Sequence, residues 1–225
     1  MSNNLDLRLV YENAKVAVNK AFSDLKDKFG NPINIAEVCK LTQSTYRFER
    51  PLEVGNTVYQ FPVLANQDIF SNTETRLLQQ DSAVIYQLGV FLGAPASATD
   101  AAFLPDSYPS PVKYGANATP ANALYNGNLS ITVNNDILVP NWDVLKHLNV
   151  PETQQTAALG AGSPQDQIRG CHDGYYPMEP NVVLIGSKNN VIQIKLPVGL
   201  TAVLTNSRVI VIARCIVAQN STVVS

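Results

Sequence analysis

The segment Ser207–Ala218, with the sequence SRVIVIARCIVA, limits the fold more than any other stretch of the chain. It is almost entirely β-branched, which favours a strand, and successive side chains of a strand point to opposite faces. One face carries Val209, Val211, Ala213, Cys215 and Val217, and the other carries Arg208, Ile210, Ile212, Arg214 and Ile216. A sheet covered on one side alternates apolar and polar residues. Because both faces here are apolar, both must be covered, by this chain or by another subunit.

The two faces of this final strand suggest different roles. The Val/Ala face is smaller and more uniform, so we assign it to the interior of the domain. Arg208 and Arg214 lie on the isoleucine face, and their long stems can cover apolar surface while their charged heads reach a partner. The sequence therefore predicts a subunit contact on this second face, formed by Arg208, Ile210, Ile212, Arg214 and Ile216.

The start of the chain has the periodicity of a helix. Apolar residues recur every three or four positions from Leu7 to Phe29, the spacing that lines one helical face. Gly30-Asn31-Pro32 ends this helix, and a short second one is predicted at about Asn34 to Leu41. We therefore divide the chain into an N-terminal helical segment, residues 1–42, and a β-domain, residues 43–225, because one domain of this size is ordinary for sandwiches.

From Thr45 onward the periodicity approaches two, which is typical of strands. Besides the final strand, the predicted strands are Tyr46–Arg50, Thr57–Leu64, Ser82–Leu92, Leu124–Val133 with a type I′ hairpin turn at Asn126-Gly127, Ile137–Val139, Val182–Ile185, Val191–Leu196 and Val198–Leu204. Ser82–Leu92 is also apolar on both faces and is the natural partner of the final strand. Asn141–Leu148 reads as a short helix. Eight or nine strands predict a mainly β fold, an antiparallel β-sandwich whose long excursions suit the crossovers of a jelly roll.

Two long irregular segments interrupt these strands, at residues 94–121 and 151–180. Loops of this length are usually functional or disordered. Tyrosines on or beside them could stack on sugars or bases, or could be buried against a neighbouring subunit. We add four of these to the predicted subunit contact: Tyr108, Tyr114, Tyr175 and Tyr176.

Catalytic and metal-binding motifs give little signal. Cys171-His172-Asp173 contains the residue types of a nucleophile, a base and an orienting acid. Catalytic triads, however, are assembled from distant segments of the chain, and the flanking Gly170 and Gly174 favour a loop. A zinc site would have to combine His147 and His172 with Cys171 or a carboxylate. A calcium site has no fixed sequence signature, so the sequence does not decide whether the long loops contain one. We therefore expect no enzyme activity and no cofactor.

The charge composition favours assembly over nucleic-acid binding. Only 15% of the residues are charged, and the net charge is −2. A net negative chain does not condense nucleic acid by bulk electrostatics, and a surface with few charges is best tolerated when permanent contacts hide it. The first residues lack the pattern of a signal peptide, and no apolar run is long enough to span a bilayer. We expect a soluble chain made in the cytoplasm.

Taken together, the N-terminal helix, the low charge, the many Asn, Thr and Pro residues and the Val/Ile-rich final strand resemble virion structural proteins of the jelly-roll kind, especially bacteriophage capsid subunits. The resemblance implies a structural subunit, located in the virion, that assembles into a large homo-oligomer with copies of itself and with other virion proteins. Because a basic arm is missing, it also implies a shell filled by active packaging or lined by another layer. The alternative is a carbohydrate- or ligand-binding β-sandwich that uses loop tyrosines and Trp142, with the N-terminal helix covering the final strand.

Overall fold

Two antiparallel four-stranded sheets form the body of the protein. The computed structural model describes residues 7–27, 29–150 and 174–223. Within these residues the strands are β1 Leu41–Pro51, β2 Val58–Pro62, β3 Ser82–Gly93, β4 Asn128–Val133, β5 Asp136–Asp143, β6 Tyr175–Ile185, β7 Asn190–Lys195 and β8 Arg208–Ala218. The helices are α1 Leu7–Ala21, α2 Ile35–Val38, α3 Pro111–Tyr114 and α4 Ala118–Asn122. The first sheet has the order β1-β8-β3-β6, and the second has the order β2-β7-β4-β5.

The strand pairing is nested. Strand β1 pairs with β8, β2 with β7, β3 with β6 and β4 with β5, so the chain forms one long folded ribbon. This ribbon is rolled so that β8 also pairs with β3, and β7 with β4. Such a rolled ribbon of eight strands is a jelly roll. The prediction of a mainly β, jelly-roll-like sandwich is therefore confirmed, as is the pairing of β3 with β8.

The hydrophobic core lies between the two sheets. Phe48 and Leu88 from the first sheet and Phe61 and Ile131 from the second belong to one buried cluster. The predicted inner face of β8 belongs to it as well: Val209, Val211, Ala213, Cys215 and Val217. The assignment of this face to the domain interior is therefore confirmed.

A bulge in β3 changes which residues face the core. The pairing register between β3 and β8 shifts between Ile85 and Gln87, which inserts Tyr86 as an extra residue. Before the bulge Ala83 and Ile85 point inward, whereas after it Leu88 and the alternate residues that follow do so. Gln87 consequently lies on the outer face of the sheet, where it meets Arg214 of β8.

Helix α1 is shorter than its periodicity suggested. It ends at Ala21, after 15 residues or about 22 Å, and not at Phe29. Beyond it the chain reverses direction, because the Asp27 carboxylate accepts hydrogen bonds of 2.8 Å from the backbone N–H groups of Phe29 and Asn31. This local turn replaces the last two turns of the predicted helix. The second predicted helix is also reduced, to Ile35–Val38.

Three predictions in the middle of the chain are wrong. Gly127 has an extended backbone, and the type I′ geometry with positive φ is found one strand later, at Asn134 and Asn135 between β4 and β5. The segment 141–148 is not an α-helix, since β5 runs on to Asp143 and only a 3-10 turn follows. Residues 198–204 form no strand. In the first case the hairpin turn had been assigned one strand too early.

The long segment between β3 and β4 is partly helical. Helices α3 and α4 lie within it, and Tyr114, Ala118 and Ala121 bring their side chains into the main core. The Ser110 side chain caps α3 by accepting from the backbone N–H of Val112. The other predicted long segment, 151–180, lies outside the described residues up to position 173.

Candidate interaction surface

The outer face of β8 is covered by this chain itself. Over its C-terminal half, Ile216 packs in a buried cluster with side chains of α1, α2 and β3. The members of this cluster are Val10, Ala14, Val18, Ile35, Val84, Tyr86, Ile216 and Ala218. The apolar face of α1 therefore covers this part of the first sheet. The sequence had left open whether this cover comes from the helix or from a neighbouring subunit.

The N-terminal half of the same face is covered by aromatic side chains. Ile210 and Ile212 form a buried cluster with Phe91, and Phe103 and Tyr175 pack against it. These rings come from β3, from the segment after β3 and from β6. Ile210, Ile212 and Ile216 are all buried, so the predicted subunit contact has no exposed isoleucine surface to support it.

Arg208 is buried in an ion pair within the chain. Its Nη1 donates to Glu49 Oε2 and to Ser71 Oγ, each at 2.9 Å, and its Nη2 donates to the carbonyl of Ala98. The rings of Phe70 and Phe103 lie about its guanidinium, at 5.3 and 5.2 Å from the ring centroids. Arg208 thus joins β8 to three other segments. Its charged head is buried, whereas the sequence had predicted that it reaches a partner.

The ion pair is part of a larger buried network. Glu49 also accepts from Arg47 at 2.6 Å and from the Thr73 hydroxyl. Burial alone would raise the pKa of the Glu49 carboxyl, but the hydrogen bonds from Thr73 and Arg208 and the positive charge of Arg47 outweigh burial and lower it. Both oxygens of the neighbouring Glu74 accept from Arg76 at 2.9 Å. The network fixes the segment between β2 and β3 against the sheet.

Arg214 covers the aromatic cluster. Its guanidinium lies 3.9 Å from the centroid of the Tyr175 ring, and its Nη1 donates to Gln87 Oε1 at 3.1 Å. The head of Arg214 therefore binds residues of the same chain.

The four tyrosines predicted as contacts differ in exposure. Tyr108 and Tyr114 are buried, and the Tyr114 hydroxyl donates to Asp106 at 3.5 Å. Tyr175 is partly buried beneath Arg214. Tyr176 is 42% exposed and meets the His147 ring edge-on. Of the residues predicted to contact a neighbour, Tyr176 has the most exposed side chain.

His147 and Trp142 form a closed polar pair beside Tyr176. The Trp142 Nε1–H donates to His147 Nε2 at 2.9 Å, so the ring proton of the neutral histidine is on Nδ1, which lies 2.8 Å from the Gly174 carbonyl oxygen. Burial lowers the pKa of His147 to about 4, opposed by the bond to Gly174 and reinforced by the charge of Lys146. Lys146 Nζ lies 4.4 Å from the centroid of the Trp142 ring. The tryptophan is therefore already engaged by its own chain.

Exposed apolar side chains on α1 and β5 were not predicted from the sequence. Leu9 and Val16 are 59% and 68% exposed, and Ile137 and Leu138 of β5 are 63% and 47% exposed. A groove of about 600 Å³ lies where α1 meets the edge strands β5 and β6. A signal for those on α1 was present, because Leu9 and Val16 lie two helical turns apart, off the stripe that α1 buries.

The groove has an apolar lining and charged residues of both signs. Val16, Ala17, Leu138, Pro180 and Val183 contribute apolar side chains. The charged residues around it are Lys20, Lys188, Asp136 and Glu179. Such a surface suits contact with protein, because an exposed apolar patch with a polar rim is typical of an interaction site.

Comparisons with known proteins do not place the chain in a family. No protein-family model and no curated protein matches this sequence.

In the described part of the chain, His, Cys, Asp and Glu side chains form no group of three or more that could hold a metal ion. No described helix is both long enough and apolar enough to cross a membrane. Cys171, His172 and Asp173 lie outside the described residues.

Proposed function

We propose that this protein is a structural subunit of a symmetric assembly, the shell of a virion of the bacteriophage capsid kind. The observation that carries the proposal is that large exposed apolar side chains lie on several separate segments of the chain. One group lies on α1 and β5. A second is formed by Val54 and Val198, on two loops that meet where Gly55 contacts Gly199. A third lies on the segment between β3 and β4, with Leu104 and Val112.

This distribution suits a subunit with several neighbours. Single exposed apolar residues are normal on a monomer, whereas grouped ones mark contact surfaces. A binding module needs one concave site for its ligand, but a subunit of a closed shell is surrounded and uses several patches at once. The jelly roll supports this proposal only as a scaffold, because the same fold occurs in capsid, lectin and cupin domains.

The alternative, a carbohydrate-binding module, finds less support in the arrangement of the aromatic side chains. Trp142 is bonded to His147 and lies beneath Lys146, and Tyr175 lies beneath Arg214. Neither ring is presented as an open platform for stacking on a sugar. No further observation favours that function.

The test is assembly of the purified protein. Light scattering after size exclusion, over a wide concentration range, should detect oligomers, and electron microscopy should detect closed shells. Val198→Glu, at a residue 70% exposed, should weaken assembly, because it places a charge in an apolar contact. Thr201→Glu adds the same charge to the same loop and is the matched control. A protein that stays monomeric at high concentration would overturn the proposal, and small oligomers without shells would overturn its virion part.

A further inference from the structure

We propose that the hydrogen bond between Trp142 and His147 is a pH-sensitive switch, which protonation of His147 opens without unfolding the domain. In the closed state the Trp142 Nε1–H donates to His147 Nε2 at 2.9 Å. In the open state the imidazolium keeps its bond to the Gly174 carbonyl, and the Trp142 side chain turns outward. This switch goes beyond the proposed function, because it does not require assembly.

The two ring nitrogens of His147 take opposite roles. Nε2 accepts from Trp142, whereas Nδ1 lies 2.8 Å from the Gly174 carbonyl oxygen and donates to it. An indole N–H can only donate, and an imidazolium donates from both of its nitrogens. A proton added at Nε2 therefore places two donors against each other. The same proton strengthens the bond to Gly174, because a charged donor forms a stronger hydrogen bond than a neutral one. Protonation thus determines which of the two bonds breaks.

The packing around the ring determines which group moves. His147 is fully buried, and an added Cβ atom at Gly174 would lie 3.3 Å from the His147 carbonyl oxygen and 2.9 Å from the Phe91 ring. Trp142 is only partly buried and lies on β5, an edge strand of the second sheet. The indole can therefore turn towards solvent, whereas the imidazole is enclosed. Opening adds an indole to a surface on which Tyr176, in edge-on contact with the His147 ring, is already exposed.

The charges near the ring set the pH at which the switch opens. Burial lowers the pKa of His147 to about 4, the bond to Gly174 and the charge of Asp143 oppose this effect, and the charge of Lys146 adds to it. Lys146 Nζ also lies 4.4 Å from the centroid of the Trp142 ring, so it covers the group that moves. The switch is therefore closed at neutral pH and opens as the pH falls towards 4.

The elements packed against the turn that carries His147 add no other charge that changes in this range. They are β3, β6 and the 3-10 turn Ala123–Asn126. Beside the ring, β6 presents Tyr176 and β3 presents the uncharged Phe91. The titratable residue of the 3-10 turn is Tyr125. Tyrosines are neutral in acid, so the response belongs to His147 with Lys146 and Asp143.

The first experiment uses Trp142, the only tryptophan of the chain, as the reporter. Acrylamide is a neutral quencher whose access to the indole is measured by fluorescence from pH 7 to pH 3.5. Half of the molecules carry the proton at the pKa, so the quenching constant should rise about twofold between pH 6.5 and pH 4, reversibly. The far-UV circular dichroism should stay constant. A quenching constant that does not change, or that changes only together with the circular dichroism, would overturn the proposal.

The second experiment assigns the response to His147 in a parent that carries His172→Gln. His147→Gln should abolish the rise in quenching, because an amide does not titrate while its oxygen can still accept from the Trp142 N–H. Lys146→Gln keeps the imidazole and removes the neighbouring cation, so the midpoint of the rise should move to higher pH. The proposal is overturned if the His172→Gln parent shows no rise, if His147→Gln retains it, or if the midpoint of Lys146→Gln does not move upward.

Discussion

Arg208 Nη1 lies 2.9 Å from Glu49 Oε2, although the two residues are 159 positions apart in the sequence. Both side chains are buried, and they join the first strand of the jelly roll to the last. The same guanidinium holds Ser71 and the Ala98 carbonyl. One side chain therefore fastens two loop segments onto the outer face of the first sheet.

Replacing Arg208 should be strongly destabilising. Arg208→Ala removes one of the two arginines that pair with the buried Glu49 carboxylate, together with the bonds to Ser71 and Ala98, so the free energy of unfolding in urea should fall by about 3–5 kcal/mol. Arg208→Lys should recover little of this, because a lysine cannot form the same fork of hydrogen bonds. Lys15→Ala, which removes an exposed ion pair with Glu12, is the control and should lower the free energy of unfolding far less. Equal stability of Arg208→Lys and the parent would contradict this account.

The two valines of α1 should respond differently to the same change. Val18 is fully buried against the sheet, so Val18→Ala should lower the free energy of unfolding by about 2 kcal/mol. Val16→Ala should change it by less than about 0.5 kcal/mol when measured at a concentration where the copies are separate. Urea unfolding followed by circular dichroism makes the comparison. Similar losses for both variants would show that α1 does not sit on the sheet as described.

Deleting residues 1–30 should expose the apolar surface of the first sheet. Val84, Tyr86, Ile216 and Ala218 would lose the cover that α1 provides. The shortened protein should aggregate or bind a hydrophobic dye strongly, because a contiguous apolar patch of this kind is not stable in water. A truncated protein that remains soluble, folded and free of dye would mean that the cover comes from elsewhere.

Stability should depend on pH through His147. Its pKa is lowered to about 4 in the folded chain, chiefly by burial, while an unfolded histidine titrates near its ordinary value of 6.5. The unfolded state therefore takes up the proton first, so the contribution of His147 is complete above about pH 6.5 and is lost as the pH falls towards 4, by about 3 kcal/mol in total. Urea unfolding at several pH values, with Trp142 fluorescence as the probe, measures this change.

The matched comparison for His147 uses two proteins that both carry His172→Gln. The protein that keeps His147 should lose more stability between pH 6.5 and pH 4 than the one with His147→Gln, because carboxylate titration is common to both. Parallel pH profiles would contradict the assignment of a neutral, buried imidazole.

Gly186 should not tolerate a side chain. A Cβ atom there would lie 2.6 Å from the carbonyl oxygen of Asp81 and 2.7 Å from that of Gln79, and it would also contact Leu78 O. These are backbone atoms and cannot move aside cheaply, so Gly186→Ala should lower the thermal midpoint by several degrees. Ser187→Ala, at the exposed neighbour, is the control and should leave the midpoint nearly unchanged.

Much of the fold could be read from residue patterns because sheets impose a period of two. The β-branched run of β8 and the apolar run of β3 identified the central pair, and the smaller face of β8 was correctly placed in the core. The bulge at Tyr86 could not be predicted, since nothing in a local pattern says where one extra residue enters a strand. The end of α1 was missed because the Asp27 turn keeps apolar residues at helical spacing.

The contact face was harder to predict for a physical reason. The pattern of β8 shows that both of its faces need cover, but it does not show which residues provide it. The cover comes from α1, Phe91, Phe103 and Tyr175, which lie far apart in sequence and meet only through the jelly-roll topology. Leu9 and Val16 are exposed on α1, seven residues apart, and the sequence pattern had assigned them no role.

The docking of α1 against Ile216 and Ala218 places the helix under the control of the last strand in chain order. Until β8 has inserted between β1 and β3, α1 has no complete surface on which to lie. A chain whose last strand is not in place would therefore leave α1 and the outer face of β3 without part of their packing partners. The first helix of the chain can thus reach its final position only after the last strand has reached its own.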